Sequence, residues 1–143
     1  MIHLTKPETF NPRFEVVSCF LEDEGKILLL HRHNHKPEGD SWGVPAGKVD
    51  EGESIDGAMV RELFQETGYQ VREDELRYIQ KVYVKYPTFD FIYRIYHLPL
   101  SQKRAIMIAS SEHKGYEWAV PAEALQKNLI RDLDTCIKLF YKL

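Results

Sequence analysis

The chain has 143 residues, of which 43% are hydrophobic and 29% charged. That balance supports one core in one domain over residues 1–143 and excludes a disordered or disulfide-stapled chain. The formal net charge of −3 offers no general attraction to a nucleic-acid backbone, and no apolar run reaches the roughly 18 residues a membrane span requires. Cys19 and Cys136 sit among apolar neighbours without zinc-ligand spacing and read as buried, reduced thiols. The segment from Met1 to Pro7 lacks the apolar core of a signal peptide, so a cytoplasmic location is expected.

In chain order, Phe14 to Leu21 is apolar and rich in β-branched and aromatic residues, and predicts a strand. Lys26 to His31 follows after Glu24-Gly25, giving a hairpin. His33 to Ser41 is polar and reads as a loop, and Trp42 to Gly47 is too glycine-rich for a regular helix. A helix is predicted from about Ser54 to Thr67, with Ser54 as N-cap and Gly68 as a left-handed stop. Leu76 to Tyr86 and Phe89 to Leu98 predict two aromatic-rich strands around Pro87-Thr88. Gln102 to Gly115 reads as loop despite the apolar run Ala105 to Ala109; a short strand around Trp118 and a short helix opening at Pro121 come next. Leu133, Cys136, Ile137 and Phe140 at helical spacing predict a C-terminal helix packed on the sheet. The order points to an α/β fold with a mixed sheet between helices.

The central helix is the informative element. Ile55, Met59 and Leu63 line one face, and Glu62 and Glu66, four residues apart, fall near the same longitude with Gln65 beside them. Like charges at this spacing repel, and acids near a helix C-terminus oppose the macrodipole. A hard divalent cation such as Mg²⁺, which takes oxygen ligands and keeps several waters, would offset both costs. The alternative for any isolated Glu-x-x-x-Glu is a solvated acidic patch neutralised by Arg61 or a lysine.

Gly47, five residues, Glu53, seven residues, then Arg61-Glu62-Leu63-Phe64-Gln65-Glu66-Thr67-Gly68-Tyr69 resembles the Nudix box, G-x5-E-x7-R-E-U-x-E-E-x-G-U. Gln65 departs from the usual glutamate, and Tyr69 is a lenient match to the last apolar position. Trp42 to Gly47 is similar to the lead-in of that family, with Ala46 where glycine is common. The resemblance implies a single-domain α/β/α sandwich and Mg²⁺-dependent cleavage of a phosphoanhydride bond, with Mn²⁺ as the other ion of the right chemistry. Glu62 and Glu66 would be metal ligands and catalytic residues, and Gly47 a backbone-carbonyl ligand. Arg61 would pair with Glu53 and hold the loop against the helix. Gln65 would be a weak ligand that supplies no charge and accepts no proton, leaving the site one carboxylate short.

Glu112 is the compensating acid, as metal ligand or general base, because it precedes Trp118 by six residues as a loop glutamate does in similar chains. A solvated loop acid is the other reading, and Glu117 is the weaker candidate for the same task. His31, His33 and His35 alternate; a metal site is one reading and solvated strand-end histidines the other. Arg32 is assigned to substrate phosphate, which a guanidinium binds bidentately. Trp42, Tyr83, Phe89 and Tyr93 either stack on a base or fill the core.

The expected substrate is a small-molecule nucleotide. A (deoxy)nucleoside triphosphate of the MutT-like kind is preferred, giving nucleoside monophosphate and pyrophosphate. A nucleotide sugar, ADP-ribose or a dinucleotide is the runner-up; the proline marker of ADP-ribose hydrolases is missing or shifted, with Pro87 nineteen residues past Gly68. A non-catalytic nucleotide sensor is favoured only by Gln65. An RNA-binding module is disfavoured by the acidic balance. A monomer or a homodimer fits equally.

Overall fold

The computed structural model describes residues 1–102 and 105–143, so the part of the expected loop at 103 and 104 lies outside the described residues. Its strands are β1 (Ile2–His3), β2 (Pro12–Asp23), β3 (Lys26–Arg32), β4 (Trp42–Gly43), β5 (Ala46–Lys48), β6 (Arg77–Lys85), β7 (Asp90–Pro99) and β8 (His113–Ala119). The helices are α1 (Ile55–Thr67), α2 (Pro121–Ala124) and α3 (Leu133–Tyr141). The sheet runs β1-β6-β7-β2-β3-β4, with β5 added on β2 and β8 on β3. β2 and β7 are parallel and the other pairs antiparallel, so the sheet is mixed as expected.

Both faces of the sheet are buried, which explains why β3 is apolar along its length rather than alternating. Leu28 and Leu30 join Val17, Cys19 and Leu21 beneath Ala58, Met59 and Leu63 of α1. Ile27 and Leu29 face the opposite side, where Phe20, Val82 and Ile95 meet Leu133, Cys136 and Ile137 of α3. Phe140 completes that layer by stacking on Phe20 at 5.5 Å. The result is an α/β/α sandwich. Among the described residues, no helix is long and apolar enough to cross a membrane.

The hairpin turn uses Glu24 and Gly25, both at positive φ (50° and 77°), the pairing that lets a two-residue connection follow the strand twist. Ser54 caps α1 by accepting from the Gly57 N–H at 3.0 Å, and Gly68 ends it in the left-handed region, its N–H reaching the Phe64 carbonyl. Cys19 and Cys136 are free and buried, and burial pushes both thiols up from the ordinary range.

Two expectations change. β1 was not anticipated, because two residues carry no periodicity; it exists by pairing Ile2 and His3 with Val84 and Tyr83. β8 begins at His113, inside the stretch expected as loop, because pairing with β3 overrides its polar composition. The apolar run Ala105 to Ala109 does remain irregular. Ile106 and Ile108 pack against the layer under α1, and Met107 between them is exposed.

Candidate active site

β5 lies antiparallel to β2 and carries Gly47 directly beneath the C-terminal half of α1. A Cβ built at Gly47 would overlap the Glu62 carboxyl, so the absence of a side chain makes room for that acid. Glu62 also accepts from Arg61 Nη1 at 2.8 Å.

Arg61 is the clasp between helix and loop. Its Nε and Nη2 donate to the two carboxylate oxygens of Glu53 at 2.7 and 2.9 Å, and Nη2 also donates to the Lys48 carbonyl at 3.0 Å. Glu53 in turn accepts from the Asp50 N–H at 2.9 Å. The Arg61 hydrogen bonds, followed by that backbone bond, hold the Glu53 carboxyl down to about 2. The contribution of this clasp is therefore present above the unfolded carboxylate value and is lost progressively as pH falls from there through about 2. Lysine keeps the charge at position 61 but not the planar fork that makes two parallel bonds. Arg61→Lys should accordingly lower kcat/KM by about tenfold, with little change in the far-UV circular dichroism spectrum. Unchanged kinetics would show that loop geometry does not depend on the fork.

Glu66 is 5% exposed and accepts from the Ala46 N–H at 3.1 Å. Burial pushes its carboxyl well above the ordinary range, and the neighbouring Glu62 and Glu112 push it the same way. A buried acid beside other acids fits a cation of hard oxygen preference. Among the described residues no three His, Cys, Asp or Glu side chains are already gathered at metal-binding spacing.

Arg32, Glu66 and Glu112 line one polar pocket of about 70 Å³ together with Gly43, Val44 and His113. Glu112 is exposed at the end of its loop, and its carbonyl accepts from the His33 N–H at 3.1 Å. The Arg32 Nε donates to the Pro37 carbonyl at 2.9 Å. Gln65 is exposed, and its amide oxygen accepts from Arg61 at 3.1 Å. Glu117 is paired with Lys127 at 2.5 Å. The three histidines take separate surroundings: His31 stacks on Trp42 at 4.1 Å and bonds Asp40, while His33 bonds the Ser110 carbonyl and stacks on His35.

The aromatic candidates divide. Trp42 lies between His31 and the Lys127 ammonium, and Tyr83 packs edge-on against Phe10. Phe89 and Tyr93, with Phe14, Tyr86 and Phe91, line a cavity of about 230 Å³. Ala46 and Ile130 border both this cavity and the polar pocket, so the two adjoin.

Sequence reasoning missed the polar rim of the cavity. The Arg131 guanidinium lies over the Tyr86 ring at 4.5 Å, and its backbone N–H donates to the Glu38 carboxylate at 2.6 Å. Asp132 holds a positive φ of 67°, and its Oδ2 is buried without a hydrogen bond, facing the Met1 amino group at 3.5 Å. No local signal marks these residues, because separate loops and the Met1 amino group come together only in the fold.

The NUDIX domain family model matches residues 12–140. The CTP pyrophosphohydrolase of Escherichia coli K12 is 33% identical over 114 residues, covering 78% of this chain and 79% of that protein. The RNA pyrophosphohydrolase of Actinobacillus succinogenes is 32% identical over 54% of this chain, but only 36% of that longer protein is spanned. The NUDIX domain of Shewanella oneidensis NrtR, solved with ADP ribose, superposes with a TM-score of 0.77 at 23% identity, covering 96% of this chain and 92% of that one.

Proposed function

Since the chain belongs to the NUDIX family and is a NUDIX pyrophosphohydrolase, we propose that its substrate is a (deoxy)nucleoside triphosphate, cleaved to nucleoside monophosphate and pyrophosphate. The observation that carries this choice is the pairing of the two cavities. An aromatic chamber of nucleobase size adjoins a smaller polar pocket walled by Arg32, Glu66 and Glu112. The name of the E. coli relative, a CTP pyrophosphohydrolase, supports the same choice.

NUDIX hydrolases depend on a divalent metal, and we assign magnesium here, with manganese able to substitute. Glu62, Glu66 and the Gly47 carbonyl would hold the ion, with Glu112 supplying the carboxylate that Gln65 does not. Gln65 would reach it only by giving up its bond from Arg61. When bound, the ion neutralises phosphate charge and makes water a better nucleophile. Arg61 and Glu53 keep Glu62 and the β5 backbone in register. Arg32 binds phosphate oxygens through its guanidinium. Glu112 takes the proton of the attacking water as the new P–O bond forms, and the bridging P–O bond breaks with departure of pyrophosphate. The two buried thiols suit a reducing compartment, and we place the enzyme in the cytoplasm, as a monomer or a homodimer.

Asp132 reads the base: its carboxylate at the rim of the chamber, with Oδ2 facing the Met1 amino group, accepts from an exocyclic amine. Asp132→Ala should raise KM for the preferred triphosphate by about 10- to 100-fold and leave kcat nearly unchanged. An equal loss on all bases would assign Asp132 to structure instead.

The substrate choice is tested by comparing kcat/KM across nucleoside triphosphates, ADP-ribose, nucleotide sugars and dinucleotides. A triphosphate should lead. Preference for ADP-ribose, the ligand in the superposed NrtR domain, would keep the chemistry and overturn the substrate.

A further inference from the structure

His113 is a buried polar residue without a part in the chemistry described so far. It opens β8 beside Glu112 and lines the same pocket as Arg32 and Glu66. The strand register pairs it directly with Arg32 across β3 and β8, so two side chains able to donate hydrogen bonds sit side by side on the pocket wall. Only 4% of the residue is exposed, and its Nδ1 is sealed from solvent without a hydrogen-bond partner.

Buried polar atoms in native proteins are almost all paired, and exceptions call for a specific cause. Replacing such a group by an apolar one of similar shape commonly leaves stability intact or improves it, so packing alone does not account for a histidine here. The pocket volume of about 70 Å³ corresponds to roughly two waters at ~30 Å³ each, which is room for two oxygens of a phosphate group. Its charged walls are one guanidinium and two carboxylates, with Arg32 as the cationic donor. A neutral imidazole adds direction without altering the charge.

We infer that the Nδ1–H of His113 donates a hydrogen bond to a phosphate oxygen of the bound nucleotide, alongside Arg32. The inference rests on the nucleotide-substrate proposal and assigns a phosphate contact within the same site. It requires the tautomer with the proton on Nδ1, which leaves Nε2 as the acceptor.

Three variants separate contact from packing. Asparagine places an amide donor near the Nδ1 position, glutamine places one near Nε2, and leucine provides neither. His113→Leu should lower kcat/KM for the triphosphate about 10- to 100-fold, with a melting temperature equal to or above wild type. His113→Gln should fall with it, and His113→Asn should stay close to wild type. In parallel, the ¹⁵N resonance of His113 Nδ1 should move on saturation with inorganic pyrophosphate and Mg²⁺. Full activity of His113→Leu, rescue by glutamine instead of asparagine, or an unmoved Nδ1 resonance would overturn the assignment. If wild type hydrolyses no triphosphate, the substrate proposal fails, and the pyrophosphate titration still decides the role of His113.

Discussion

Glu66→Gln should lower kcat by about 10³-fold while raising the melting temperature measured in EDTA. Glutamine retains an oxygen to accept the Ala46 N–H but loses the anionic oxygen that a hard cation prefers. The stability change has the opposite sign for a separate reason. Burial raises the Glu66 carboxyl well above the ordinary value, with Glu62 and Glu112 adding to it. The native state without metal therefore holds that proton more tightly than the unfolded chain, and its stability falls as pH rises from the unfolded value through the raised one. An amide removes that loss at neutral pH. Added Mg²⁺ should raise the melting temperature of wild type and leave Glu66→Gln nearly unmoved, since an ion that binds only the native state stabilises only a competent site. Near-normal turnover, or a variant less stable than wild type in EDTA, would remove Glu66 from the role assigned to it.

Gly47→Ala should cost about 10²-fold in kcat/KM with little change in melting temperature. No positive φ is involved at Gly47, so alanine meets no backbone strain. The new methyl would instead occupy the space of the Glu62 carboxyl, the far end of a flexible side chain that can swing away. The protein should fold, and Glu62 should leave the site. Glu62→Ala should give a loss of the same size, and the double variant should be no worse than either single one, because both remove one interaction. Losses that multiply in the double variant would show that Gly47 acts separately from Glu62.

These two positions are also where the sequence is most legible. Gly47, Glu53, Arg61, Glu62 and Glu66 fall within one segment in which spacing along a loop and a helix fixes proximity. The Arg61–Glu53 pair and the approach of Gly47 to Glu62 follow from that local geometry. Strand and helix positions were likewise readable, because β3 is buried on both faces and α1 carries a cap at each end.

The rest of the site depends on contacts distant in sequence. Phe89 and Tyr93 line the aromatic chamber while Trp42 and Tyr83 do not. All four are aromatic residues in or beside strands, and composition does not distinguish them. Asp132 acquires its character from the chamber beside it and the Met1 amino group facing it. His113 was hidden inside a stretch read as loop, and only the pairing of β8 with β3 sets it beside Arg32. Its six-residue spacing to Trp118 gave Glu112 its candidacy, but its place on the wall with Glu66 is tertiary.

The most direct measurement follows ³¹P NMR spectra of a nucleoside triphosphate incubated with the protein in MgCl₂ or in EDTA. The three triphosphate signals should be replaced by those of a nucleoside monophosphate and pyrophosphate in MgCl₂, with no change in EDTA and at least a hundredfold slower conversion by Glu66→Gln. Binding of nucleotide without cleavage of any triphosphate, ADP-ribose, nucleotide sugar or dinucleotide would contradict hydrolysis at this site.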